Sequence, residues 1–269
     1  MNIRSYRYVK TKSFIIMGIF AVFLSHCATV PGTGRKQFKL IPNSQMSSMG
    51  ESSYKEVMAK SKLSADQTKV AMIRRVGENI AKAAEVFLTA QGRESELKYY
   101  KWEYNLIDDD KTINAWAMPG GKIAFYTGIL KLADTEDQVA VIMGHEVAHV
   151  LANHGNERMS QGLLVQFGGL ALSKIIQNKP EATQQVFMTA FGLGSTVGLL
   201  LPFSRKHEYE ADQIGLILMH RSGYKTQAAV DFWVKMTKLS KNSPPEFLST
   251  HPPSEKRVEE IKKHIAELK

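Results

Sequence analysis

With 269 residues, 43% hydrophobic and 23% charged, the chain has the length and composition of a globular protein that can bury one sizeable core; a disordered or fibrous chain is excluded. The net charge of +9 is partly local: Arg4, Arg7, Lys10 and Lys12 precede the first apolar run, and without them the excess is +5 (31 basic against 26 acidic), a mildly basic surface. A single cysteine, Cys27, excludes an intramolecular disulfide framework and a thiolate zinc cluster, so any metal must sit on histidines and carboxylates.

The chain opens with those basic residues, an eleven-residue apolar run (FIIMGIFAVFL, residues 14–24) and then Cys27, the order of a secretory signal. Eleven residues are too few to span a bilayer as a stable helix. The segment Leu24-Ser25-His26-Cys27 resembles a bacterial lipoprotein box, with His26 where a small residue is usual. The expectation is a signal peptide over residues 1–26, lipidation at Cys27, a tether over 27–43 and one domain over 44–269; an uncleaved anchor or ordinary cleavage nearby is the alternative. Ala28 lacks the aspartate associated with inner-membrane retention, which points to the outer membrane.

Residues 44–63 and 65–88 read as helices, the second with Ile73, Val76, Ile80, Ala84 and Phe87 at three- and four-residue spacing. From residue 99 to 126 the pattern changes to short β-rich pieces, KWEYNLID, NAWAM and KIAFY, with Pro119-Gly120-Gly121 as the turn between the last two. Everything after Thr127 reads helical except residues 240–253, where Pro244, Pro245, Pro252 and Pro253 remove donors. The last helix carries Val258, Ile261, Ile265 and Leu268 on one stripe. Residues 186–203 hold no charge and read as a buried helix in preference to a membrane-dipping segment.

The chemistry is concentrated in Gly144-His145-Glu146-Val147-Ala148-His149. Thr135 and Gln138 fit a capping box, so a helix is predicted from Thr135 to near Gly155. On it His145 and His149 project from one face one turn apart and can grip one zinc ion, with Glu146 about 100° away to accept a proton from attacking water. HExxH occurs by chance, so a third ligand is required. The metzincin pattern is excluded, because its glycine and last histidine positions are Ala152 and Gly155. His154, nine residues after His145, falls on the opposite side of a continuous helix and reads as a surface or cap residue. The better candidate lies in SRKHEYEAD: Glu208 and Asp212 share a helix face, Glu208 to complete the ligands and Asp212 to accept a ligand histidine's Nδ1 proton, while Glu210 points away from both.

With these residues in place the chain resembles the zinc metallopeptidases of family M48. TGRKQFKLIP, NAWAMPGGKIAFYTGIL, GHEVAHVLANH, LLPFSRKHEYEAD and STHPPSEKRVEEI occur in the family's order. The resemblance implies a zincin-like α+β fold, predominantly helical with a small sheet beside the HExxH helix, one zinc held by His145, His149 and Glu208, Glu146 as general base and Asp212 behind the ligands. It looks like an Oma-type or YggG-like periplasmic lipoprotein form. It also implies that the loop holding His251 approaches the metal, making His251 a candidate oxyanion donor, with Arg257 a weaker one. Asn114, Ala115 and Trp116 are expected on the strand beside the cleft, where an extended peptide can add to the edge. The expected activity is endopeptidase action on misfolded or misassembled envelope proteins, with polypeptide substrates and a membrane anchor. Nucleic acid is not expected, because lysines and arginines are spread rather than grouped with aromatics. The alternative is an envelope chaperone or assembly factor whose cleft the His251 loop occludes.

Overall fold

The structure, a computed structural model, describes residues 27–167, 180–190, 204–240 and 245–268. The expected signal segment lies outside the described residues, as does most of the charge-free stretch, residues 191–203; residues 186–190 close a helix. Among the described residues, no helix is long and apolar enough to cross a membrane.

Where the sequence suggested a tether, Cys27–Thr29 (β1) and Lys36–Phe38 (β2) form an antiparallel pair. Its turn closes with the Gly34 N–H donating to Val30 O at 3.0 Å and the Val30 N–H to Arg35 O at 2.8 Å. Val30 and Ile41 are buried, so this segment is docked on the domain and does not hang from it. Val30 and Ile41, eleven residues apart in a Gly/Pro-containing stretch, set up no repeating pattern, which is why the docking is invisible to pattern reading.

Asn43–Lys60 (α1) and Gln67–Ala90 (α2) lie within three residues of their expected bounds. Asp66 caps α2 by accepting the Lys69 N–H at 3.0 Å, and Ile73, Val76, Ile80, Ala84 and Phe87 are all buried. The sheet is also as read: Glu103–Ile107 (β3), Ala115–Met118 (β4) and Lys122–Tyr126 (β5), in the order β3-β5-β4, with β3 parallel and β4 antiparallel to the central β5. Period two divides its side chains between two cores. Tyr104, Leu106, Ala115, Ile123 and Phe125 face α2 and the HExxH helix, whereas Ile107, Trp116, Met118 and Ala124 face Met46 and Tyr54 of α1. Both faces are therefore covered, and among the described residues the outer edge of β4 is left unpaired beside the HExxH helix.

The remaining helices are Glu136–Leu151 (α3), His154–Phe167 (α4), Pro180–Ala190 (α5), Arg205–Arg221 (α6), Gln227–Ser240 (α7), Glu246–Thr250 (α8) and Glu255–Glu267 (α9). The fold is mostly helical with small sheets, the expected α+β class. The short α8 departs from the expected non-helical segment: it starts after Pro245, and Pro252 and Pro253 follow it closely. On α9, Val258 and Ile261 are buried and Ile265 and Leu268 pack against the core, as the stripe requires.

The packing that makes the site is α3 against α6. They cross where Gly144 faces Gly215; a Cβ on Gly144 would stand 3.0 Å from the Gly215 carbonyl oxygen, and one on Gly215 3.0 Å from the Gly144 backbone. With no side chain in the crossing, the two backbones meet directly.

Candidate metal centre

Thr135 caps α3, its hydroxyl oxygen accepting the Gln138 N–H at 3.3 Å. The reciprocal bond is displaced by one residue, because the Gln138 side-chain oxygen accepts from the Asp134 N–H at 3.1 Å. The helix ends at Leu151, four residues early. Asn153 takes a left-handed conformation (φ 55°), a position that asparagine tolerates, and α4 begins at once with His154. On α6, Ser204 is the N-cap and places Glu208 in the first turn, where a carboxylate suits the helix dipole.

The two helices bring the expected residues together. His145, His149, Glu208 and also His251 offer ligand atoms that all lie within 4.8 Å of one another, and all four are buried. The Nε2 atoms of His145 and His149 are 3.0 Å apart, and each stands 3.4 Å from an oxygen of Glu208. Asp212 accepts from His145 Nδ1 at 3.0 Å, the placement anticipated for it. Buried, convergent imidazole nitrogens and a carboxylate are the donor set zinc takes, so the residues present fit the ion.

Arg257 corrects one expectation. It does not point at the cleft as an oxyanion donor; its guanidinium is buried, bonded to Asp212 from Nε (2.5 Å) and Nη2 (2.8 Å), within 2.7 Å of Glu208, and 3.4 Å over the Trp233 ring. Burial opposes the charged form of Glu208, but Arg257, His251 and His145 outweigh it and hold its carboxyl well below the usual range. Burial likewise opposes a charged His145, yet hydrogen bonds to Asp212 and Glu208 raise it to about 9. Arg257 and His145 thus both face the carboxylates of Glu208 and Asp212.

His154 and Glu210 are a second correction. The helical-wheel argument put His154 on the far side because it assumed α3 continued; the turn at Asn153 swings it back. Its Nδ1 is 2.8 Å from His149 Nδ1 and its Nε2 is 3.0 Å from Glu210 Oε2, with the ring wholly buried. Glu210 does point away from Glu208 and Asp212, as expected, but into this second buried group. There it also accepts from Arg35 Nε at 2.8 Å and from the Thr33 hydroxyl. Burial lowers the His154 ring to about 4, whereas for Glu210 the bonds to His154, Thr33 and Arg35 overcome burial and hold it at about 2.

The cleft beside the cluster is lined by Asn114, Ala115, Trp116, Ala117, Glu146, His149 and His251, among others. Asn114 O accepts from the Tyr126 N–H, so by alternation Asn114 and Trp116 turn their backbone groups toward β5 while Ala115 and Ala117 turn theirs to the cleft. Ala117, absent from the expected set, donates its N–H to the Glu146 carboxylate. The Trp116 side chain packs edge-on against Tyr54, 5.8 Å between centroids, in the core behind the strand. Glu146 Oε1 is buried without a hydrogen bond, with His251 Nε2 at 3.4 Å, and burial pushes the carboxyl above its ordinary range.

The sequence profile of Peptidase family M48 matches residues 74–265, well over half of the chain and spanning both halves of the cluster. The chain belongs to this family. M48 enzymes use zinc, and the chain is accordingly a zinc metallopeptidase. It is 30% identical to the mitochondrial metalloendopeptidase OMA1 of Schizosaccharomyces pombe over 99% of its own length and 74% of that protein. Against the mitochondrial metalloendopeptidase OMA1 of Homo sapiens it is 27% identical over 92% of the chain and 48% of the relative. With the β-barrel assembly-enhancing protease of Escherichia coli it shares 29% identity over 62% of the chain and 35% of the relative. The chain thus spans less than half of the latter two M48 members.

Proposed function

We propose that this M48 member is an endopeptidase in which His145, His149 and Glu208 hold the zinc, Glu146 is the general base, and extended polypeptides bind along β4. The observation that carries this reading is the coincidence, among the described residues, of the cleft, the unpaired outer edge of β4 and a buried Glu146 oxygen without a hydrogen bond beside the donor cluster. Bound zinc supplies Lewis acidity that polarises a peptide carbonyl and makes water nucleophilic near neutral pH. Glu146 accepts the proton of the attacking water and returns it to the departing amine, aided by burial, which raises its carboxyl above the ordinary range. Outward backbone groups of Ala115 hold the substrate chain irrespective of its sequence, and Asn114, whose side-chain oxygen is buried and unbonded, offers one more acceptor. Ala115→Pro, tolerable on an edge strand, removes one such donor. It is expected to lower kcat/KM for casein by about 3- to 10-fold, the value of one hydrogen bond of about 0.5–1.5 kcal/mol, with zinc content unchanged. Unaltered kcat/KM would remove β4 from substrate binding.

The substrates we assign are misfolded or misassembled proteins of a bacterial cell envelope, met by a lipoprotein anchored through Cys27 in the outer membrane. Support comes from the signal-like order of the first residues and from the name of the E. coli relative.

A second reading is favoured by His251 itself. Its Nδ1 stands 3.1 Å from His145 Nε2 and 3.2 Å from Glu208 Oε1, inside the donor set, so His251 would hold the ion as a fourth ligand and leave no position open for water. Such a protein is a latent protease, or an assembly factor with an occluded cleft. Casein cleavage by His251→Ala separates the two, with chelated wild type as the blank: the rate falls if His251 is an oxyanion donor and rises if it is a cap.

A further inference from the structure

The buried group behind His149 has no part in the chemistry described so far. Glu210 Oε2, which also accepts from the Arg35 guanidinium at 2.8 Å, is placed as an acceptor, so the proton in its 3.0 Å contact with His154 sits on His154 Nε2. The 2.8 Å contact between His154 Nδ1 and His149 Nδ1 needs one proton between two nitrogens. If His154 supplied it, His149 would carry its own proton on Nε2, the atom that faces Glu208, and could not bind a metal through it. If His149 supplies it, Nε2 is left with a bare lone pair directed at the cluster. A zinc ligand requires the second arrangement.

The anion at the far end is itself held from the amino-terminal segment. Thr33, in the turn of the β1–β2 hairpin, and Arg35, immediately before β2, bond to Glu210, and the same Arg35 guanidinium grips Glu157 through Nη1 (2.9 Å) and Nη2 (2.7 Å). Glu157 in turn takes His207 Nε2 at 3.1 Å, and the His207 ring stacks on His154 with 4.4 Å between centroids. His154 is thus fixed at both nitrogens and on one face.

We propose that His154 and Glu210 are positioning residues that set the tautomer and orientation of His149, and that Arg35 anchors this relay to the amino-terminal hairpin, so that zinc affinity depends on a segment remote from the ion. The inference rests on His149 being a zinc ligand, and the experiment keeps the two claims apart.

Apo-protein is titrated with zinc in competition with a chromogenic chelator, and cobalt(II) is used in parallel for its absorption spectrum. His154→Leu removes the acceptor for His149 and is expected to weaken zinc binding by about 10- to 100-fold, the usual effect of losing an outer partner of a ligand histidine, and to alter the cobalt spectrum. His154→Asn places an oxygen near the former Nδ1 and is expected to restore most of the affinity, which a packing role would not do. Arg35→Met, at a partly exposed position, is expected to weaken binding several-fold and decides the matter should His154→Leu not fold. Wild-type affinity in His154→Leu, or in Arg35→Met if that variant must stand in, overturns the relay; so does an asparagine variant as weak as the leucine one. Wild-type affinity in His149→Ala instead overturns the ligand assignment beneath it.

Discussion

Replacing Glu146 by glutamine is expected to lower kcat/KM for casein by about 10²- to 10⁴-fold, the range for a lost general base, while zinc stays bound at one ion per chain. Glutamine keeps the size of the side chain and can still accept the Ala117 N–H, so the cleft is preserved; what disappears is a group able to take a proton. Retention of zinc follows from geometry, since Glu146 is not among the four residues whose ligand atoms converge. Glu208→Gln in the same assay is the contrasting control and should lose the metal as well as the activity. Metal analysis beside initial rates reads both outcomes, and normal casein cleavage by Glu146→Gln would displace Glu146 from the mechanism.

The second large effect is on stability. Arg257→Leu leaves Glu208 and Asp212 buried without their shared cation, and breaking a buried ion pair in this way costs about 3–5 kcal/mol. At roughly 2–4 °C per kcal/mol for a domain of this size, the metal-free protein should lose on the order of 10 °C in Tm. Zinc carries positive charge to the same place, so the loaded variant should recover much of that difference. Thermal unfolding of apo and loaded forms, each against wild type, tests this; an equal drop in both would mean that Arg257 acts by packing on Trp233 alone.

What could be read from residues alone was the part governed by repeating patterns and short-range spacing. The α2 stripe, the three strands, the cap at Thr135 and the pairs His145/His149 and Glu208/Asp212 each depend on neighbours within one or two helical turns. Their assembly into one cluster follows once a metal is required. The rest depends on a single backbone angle or on contacts between distant segments. One left-handed residue, Asn153, moved His154 from an expected surface position to the back of His149; asparagine two residues before Gly155 was the available signal. Arg35, Thr33 and Glu210 meet across more than 170 residues, and nothing in the local sequence of any of them announces the others. Alternation along NAWAM located the edge strand but could not say that Ala115 and Ala117, rather than Asn114 and Trp116, turn their backbone to the cleft.

The glycine pair at the crossing of α3 and α6 bears on how the ion is gripped. Because peptide touches peptide at that point, the span between the two jaws is set by main-chain thickness and not by compressible side chains. The chelate is therefore pre-shaped before any ion arrives, little disorder has to be surrendered on loading, and the polypeptide behaves as stiff calipers already opened to the width of their object.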